Sequence, residues 1–400
     1  MKTMFGWSAA LALAACSGQG APAPQATGTS AAPVRGGVAI TADNAAKLRQ
    51  VGAEILFWNQ EQRDANFPHM ERLFPGHVVT AGGRVRALPA GAPLAVPSAD
   101  VDAFMAAQNV AGLIVLHDGK VRLERYARGL TREGRWTSFS VAKSFTSTLV
   151  GAAIKDRRIR SVDDPVTRYI PELVGSAYDG VSVAQLLTMT SGVKWDENYF
   201  NPNSDVARMY SQPVPAGQDP TVAYMRTLPR ESPPGAKWLY KTGETNLIGV
   251  LVTKATGKPL ASYLSEKVWR PAGMERDAFW MVDPSGQEVG GCCLSVSLRD
   301  YARIGQLALD GGAGIVPAGW FAQATSAKAD LGRPGFGYGY QWWTYPQGRY
   351  GAQGIFGQSV LIDPAKRVVI AMVSAWPRAV DPKLTADRAA FQAKLMSAVN

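Results

Sequence analysis

Along residues 112–127, GLIVLHDGKVRLERYA, two apolar-rich stretches are separated by Asp118-Gly119. Such a pair between stretches of this kind predicts a β-hairpin closed by a tight turn. The run that follows Ser140, VAKSFTSTLVGAAIK, predicts a helix reaching about Lys155. VSVAQLLTMTSG, residues 181–192, predicts another with Gly192 as its cap, and ETNLIGVLVTKATG, residues 244–257, has the same character. Nearer the C-terminus, FGYGYQWWTY, GQSVLIDP and RVVIAMVSAW predict short strands divided by turns, and ADRAAFQAKLMSAVN predicts a closing helix. Strands thus occur towards both ends of the chain, around a middle rich in helices and loops. That order implies an α+β fold, a mainly antiparallel sheet flanked by helices, with the helix-rich middle as an inserted subdomain.

The first residues do not fit this pattern. Lys2 precedes a short apolar stretch, Met4 to Ala15, that ends in Leu-Ala-Ala-Cys at Cys16. Residues 1–16 are therefore expected to be a lipoprotein signal segment, with Cys16 as the point of lipid attachment. A membrane surface becomes an expected partner, because each buried acyl methylene contributes roughly 0.8 kcal/mol. The expected location is the bacterial cell envelope, lipid-anchored and facing the periplasm. Residues 17–35 are mostly small, proline or polar and are expected to form a flexible linker, leaving residues 36–400 as one folded domain without internal repeats. At 46% hydrophobic and 18% charged the 400-residue chain is globular in composition. Its net charge of +10 is scattered rather than striped, so no nucleic-acid partner is expected. Besides Cys16 only Cys292 and Cys293 remain; they lack metal spacing and are expected to be two small apolar residues in a strand, with no disulfide framework.

Ser140 and Lys143 form an S-x-x-K pattern at the start of a helix. There the free amides and the helix dipole favour negative charge on the serine oxygen, and the lysine, one turn later, lies on the same face. A lysine acts as a base only where burial or a neighbouring cation lowers its pKa. A second S-x-x-K, Ser191 to Lys194, follows the expected end of a helix and does not open another. Three histidines, His69, His77 and His117, and no G-x-S-x-G elbow speak against a Ser-His-Asp triad. No two histidines have metal-ligand spacing, so no metal or other cofactor is expected. K-T-G occurs at Lys241 to Gly243 but runs straight into a helical pattern; the residue before it, Tyr240, is positioned to pass a proton ahead of that helix.

Together, Ser140-x-x-Lys143, Tyr-Lys-Thr at Tyr240 and Gly-Ile-Phe-Gly-Gln from Gly354 resemble the serine hydrolase family of class C β-lactamases, D-alanyl-D-alanine carboxypeptidases and related esterases. Residues 186–209 and 238–252 are most similar to its 6-aminohexanoate-dimer hydrolase branch. The resemblance implies a β-lactamase-like fold and a cofactor-free hydrolase of carboxylic esters or amides. In it Ser140 is acylated, while Lys143 and Tyr240 serve as acid and base. It also implies that Tyr199 hydrogen-bonds the substrate, that Thr242 lies at the site, and that the Ile355 and Ser140 amides form an oxyanion hole. The third block has no lysine, which the family uses to bind the β-lactam carboxylate, so esters or short amides are expected ahead of β-lactams. The alternatives are a β-lactamase or a D-alanyl-D-alanine carboxypeptidase acting on cell-wall peptides, and a non-catalytic binding lipoprotein on the same scaffold.

Overall fold

A computed structural model describes residues 35–41, 44–211, 214 and 217–399. The expected signal segment, Cys16 and nearly all of the expected linker lie outside the described residues. Among those described, no helix is long and apolar enough to cross a membrane.

Two antiparallel sheets carry the molecule. The smaller contains β1 (Arg35–Gly37), β2 (Pro75–Val79), β5 (Trp136–Thr137), β6 (Ala278–Met281) and β7 (Leu294–Val296), in the order β1-β2-β6-β7-β5. The larger is built from β3 (Val110–His117), β4 (Lys120–Tyr126), β8 (Ala329–Asp330), β9 (Gly337–Tyr338), β10 (Trp343–Thr344), β11 (Tyr350–Gly354), β12 (Gln358–Asp363) and β13 (Val368–Ser374). Its order is β4-β3-β13-β12-β11-β10-β9-β8. The expected hairpin is β3–β4: Asp118 and Gly119 both have positive φ, 49° and 73°, the conformation a two-residue turn of this kind demands.

β13 lies between β3 and β12, so its seven residues are all buried. Helices cover both faces of the sheet centre. Leu113, Val115, Ile370 and Met372 pack with Val101 and Met105 of the helix Ser98–Ala107 and with Phe391 and Leu395 of the helix Pro382–Ser397. On the opposite face the helix Leu298–Leu309 approaches closely at Gly305, where a Cβ would come within 2.6 Å of Val369. The antiparallel α+β architecture is the one the element pattern implied, with helices and loops between the two ends of the chain.

Two local readings need correction. The helix expected over residues 181–192 is only Val183–Leu187, opened by a Ser182–Gln185 capping box. Met189 then turns to φ 57°, and Gly192 serves a later turn whose Cβ would meet Ser232 O at 2.0 Å. Cys292 and Cys293 do not sit in a strand as inert apolar residues: they precede β7 and are bonded to each other. Joining chain neighbours closes no long loop, so no disulfide framework results.

Candidate active site

Ser140 sits in a single 3-10 turn, Phe139–Val141, that leads directly into the buried helix Ala142–Lys155. Phe139 has φ 41°, a left-handed conformation that costs a bulky residue on the order of 1–3 kcal/mol and persists only where packing fixes it. The packing is aromatic: the Phe139 ring lies 5.0 Å from Phe67 and 5.1 Å from Phe356. The helix behind is close to its neighbours because its exposed-looking hydroxyls are all engaged. Ser144 and Ser147 donate to the carbonyls of Gln341 and Tyr340, at 2.8 and 2.7 Å.

Lys143, 1% exposed, points back at the turn. Its ammonium donates to Ser140 Oγ at 3.1 Å, Thr242 Oγ1 at 3.1 Å and the Gly291 carbonyl at 2.7 Å. Burial lowers its pKa to about 7, against an opposing pull from the Glu197 carboxylate. Tyr240 closes the group. Its phenol lies beside the Ser140 side chain, and its ring centroid lies 5.2 Å from Lys143 Nζ. Burial first, and then the Glu197 charge, push the phenol well above its ordinary pKa, so at neutral pH it holds its proton. Trp343 stacks on Tyr240 at 5.6 Å, and Trp238 and Tyr338 complete an aromatic wall on that side.

Thr242 links Lys143 to Glu197. Its hydroxyl accepts from the ammonium and donates to the carboxylate, while its amide donates to Glu197 Oε2 at 2.9 Å. That amide is the first of the helix Thr242–Thr256, where the macrodipole favours an anion. Trp195 Nε1 and the Tyr199 hydroxyl, the latter at 2.7 Å, also donate to Glu197. Tyr199 therefore reaches the site through Glu197, with its ring on the cavity.

Gly354, at the end of β11, explains the Gly-Ile-Phe-Gly segment. A Cβ there would stand 2.6 Å from Ser138 O and 3.1 Å from Ser140 N, so the backbone entering Ile355 runs directly against the serine turn. The next residue, Phe356, again has positive φ, 59°. Gly290 and Gly291 permit a similar approach on the other side: a Cβ on Gly290 would meet Thr245 O at 2.8 Å, and the Gly291 amide donates to Asn246 Oδ1 at 2.8 Å.

Other candidates fall away from this centre. Lys241 is buried in a pair with Glu244, 3.5 Å apart, and is not the cleft lysine of a K-T-G strand. Ser191 donates to Glu244, and Lys194 is exposed. Trp342 is core and Trp195 serves Glu197, whereas Trp343 borders the site. Two contributors had escaped the sequence reading: Glu197, two residues before Tyr199, and the Gly291 carbonyl. Among the described residues, no group of three or more His, Cys, Asp and Glu is arranged to hold a metal ion.

A cavity of about 370 Å³ opens from Ser140, and Tyr199, Thr242, Ile355, Gly291, Cys292 and Cys293 lie on its wall. Residues 98–394 match the β-lactamase family. The 6-aminohexanoate-dimer hydrolase of Paenarthrobacter ureafaciens is 33% identical over 284 residues, which cover 66% of this chain and 72% of that protein. A β-lactamase of Pseudomonas fluorescens is 24% identical over 45% of this chain and 49% of its own length. In fold, a solved Bacillus anthracis protein, provisionally assigned as a 6-aminohexanoate-dimer hydrolase, superposes with a TM-score of 0.74 at 23% identity, covering 83% of this chain and 93% of that one. The match over most of the chain and the serine-centred site agree: the chain belongs to the β-lactamase family and is a serine hydrolase, similar to 6-aminohexanoate-dimer hydrolase.

Proposed function

We propose that the protein hydrolyses carboxylic esters or short amides through an acyl-enzyme on Ser140. The observation that carries this is one oxygen with two partners of opposite character: Ser140 Oγ contacts a lysine whose pKa is near 7 and a phenol that keeps its proton. Near neutral pH an appreciable fraction of Lys143 is unprotonated and takes the Ser140 proton as Oγ forms its bond to the substrate carbonyl carbon. The developing oxyanion is held by the backbone amides of Ser140 and Ile355. As the bond to the leaving oxygen or nitrogen breaks, Tyr240 supplies that atom with a proton, and the Lys143 ammonium restores the phenol. Water then enters on the vacated side and loses a proton to Lys143 by way of Tyr240. It attacks the acyl carbon, and the proton returns to Oγ as the acid departs. Thr242 and Glu197 hold the amine in register, and Tyr199, whose hydroxyl proton is held by Glu197, offers the substrate its ring and an acceptor oxygen.

The third block, Gly354 to Gly357, carries no cation, which favours esters and amides over β-lactams or cell-wall peptides bearing a carboxylate beside the scissile bond. Incubation with a fluorophosphonate is expected to add one phosphonyl group, seen by intact mass, to the wild type and none to Ser140→Ala. Equal labelling of both would refute the mechanism. A stable penicilloyl adduct on Ser140, seen by intact mass, would favour the cell-wall peptidase or β-lactamase reading over the ester one.

We also propose that the enzyme works at the bacterial cell envelope, tethered through lipid on Cys16. The support is the Leu-Ala-Ala-Cys sequence at the end of an apolar stretch. Cys16→Ala is expected to move the protein from the membrane to the soluble fraction; retention on the membrane would exclude this anchor.

A further inference from the structure

The cavity beside Ser140 differs from its surroundings in two respects. First, Tyr240 is not on its wall: Tyr199, Ile355 and Gly291 border it, whereas the phenol packs with Trp238, Tyr338 and Trp343 on the other side of Ser140. If Tyr240 protonates the leaving group, that group sits on the aromatic side and the cavity receives the acyl chain. Second, the cavity is aliphatic. Its roof comes from the helix Ala45–Glu54 and the turn after it, through Leu48, Ile55 and Leu56, and its floor from Val206, Met209 and Met281.

Among the described residues two carboxylates, Asp283 and Glu288, line it, and both accept hydrogen bonds from the protein itself. Asp283 Oδ1 accepts from the Ser285 amide at 2.8 Å, the Ser285 hydroxyl at 2.6 Å and the Gln287 amide at 3.2 Å, closing its own turn. Glu288 accepts from the amides of Leu260 and Ala261, at 3.1 and 3.0 Å, and pairs with His77 Nδ1 at 2.7 Å. A cationic chain end would have to displace the donors on Asp283 Oδ1 and Glu288 or settle for Asp283 Oδ2 alone, and shedding its hydration for so incomplete a shell is unfavourable. An alkyl chain meets no such penalty.

Resting on the acyl-enzyme reading above, we infer that the preferred substrates carry an uncharged aliphatic acyl chain several carbons long. The chain inserts beneath the helix Ala45–Glu54, in preference to acyl groups ending in an ammonium or carboxylate. Gly52 marks the reach of this pocket: it lines the roof, and a Cβ built on it meets nothing within 4 Å.

The test is a panel of p-nitrophenyl esters from acetyl through decanoyl, together with the 6-aminohexanoyl ester, whose length matches heptanoyl. Expected is a rise in kcat/KM of about fourfold per methylene until the pocket fills, as burial of a CH₂ predicts. Heptanoyl is expected to exceed 6-aminohexanoyl by on the order of a hundredfold. Gly52→Phe should shift the optimum to shorter chains while leaving the acetyl ester unchanged; Ala207→Phe, from the floor of the same cavity, should do likewise. A flat chain-length profile, parity between heptanoyl and 6-aminohexanoyl, or an unmoved optimum in both variants would overturn the inference. Failure of fluorophosphonate labelling together with inactivity on every ester would instead defeat the hydrolytic mechanism itself, and this inference with it.

Discussion

A lysine can take a proton from serine only while it is itself unprotonated, and at Lys143 two influences oppose each other. Burial favours the neutral amine; the Glu197 carboxylate favours the ammonium. Glu197→Gln removes the second influence, so the Lys143 pKa falls from about 7 to a lower value. Since the neutral amine is the active form, the acid limb of the pH profile of kcat/KM should move to lower pH, by about one unit. Recording that profile on a soluble ester checks it, and an unmoved limb would show that Glu197 acts through its hydrogen bonds alone. Ser140, Lys143 and Tyr240 were visible in the sequence because helix spacing ties the first two and block order points to the third. Glu197 was not, being one of 32 acidic residues with no motif of its own. Nor was the Gly291 carbonyl, since a backbone oxygen carries no side-chain signature. Nor was the bond between Cys292 and Cys293, because adjacency alone does not say how the chain bends there.

At the level of elements, the site depends on how closely the helix Ala142–Lys155 is seated. Gly151 fixes that distance on the side away from Ser140: a Cβ would lie 2.7 to 2.9 Å from the Trp320 indole. Gly151→Ala would gain helix propensity, about 1 kcal/mol, but overpacking the indole costs typically 1–3 kcal/mol. The expected result is a net loss of stability of about 1 kcal/mol, read as a lower urea midpoint at unchanged slope. A raised midpoint would mean that Trp320 yields freely. Strong, uninterrupted patterns such as residues 244–257 became helices close to their expected bounds, Thr242–Thr256 with Gly257 at φ 68°. The pattern over residues 181–192 failed because tertiary demands intervene after five residues: the Gln341 side chain bonds the carbonyls of Leu186 and Leu187. Nothing local announces a partner so far along the chain.

For the molecule as a whole, the general class was legible because strand-forming segments cluster towards both ends of the chain, and a sheet that joins them leaves the middle to pack as helices. The strand order and the second, smaller sheet were not, since many pairings satisfy the same apolar pattern. The joining has a consequence for how the protein is made. β3 pairs with β13, and just beyond β3's hairpin the Trp136 indole donates to the Ser374 carbonyl, 238 residues further along. A ribosome-bound chain lacking β13 leaves β3 paired only with β4 and its other edge open, and leaves Trp136 without its Ser374 acceptor, so the central layer cannot close. Arrested nascent chains ending before Val368 should therefore be digested by protease throughout, and resistance should appear only once the last strand and helix have emerged. Synthesis would thus yield an open thread until its final moments, a form that a translocation channel can still accept.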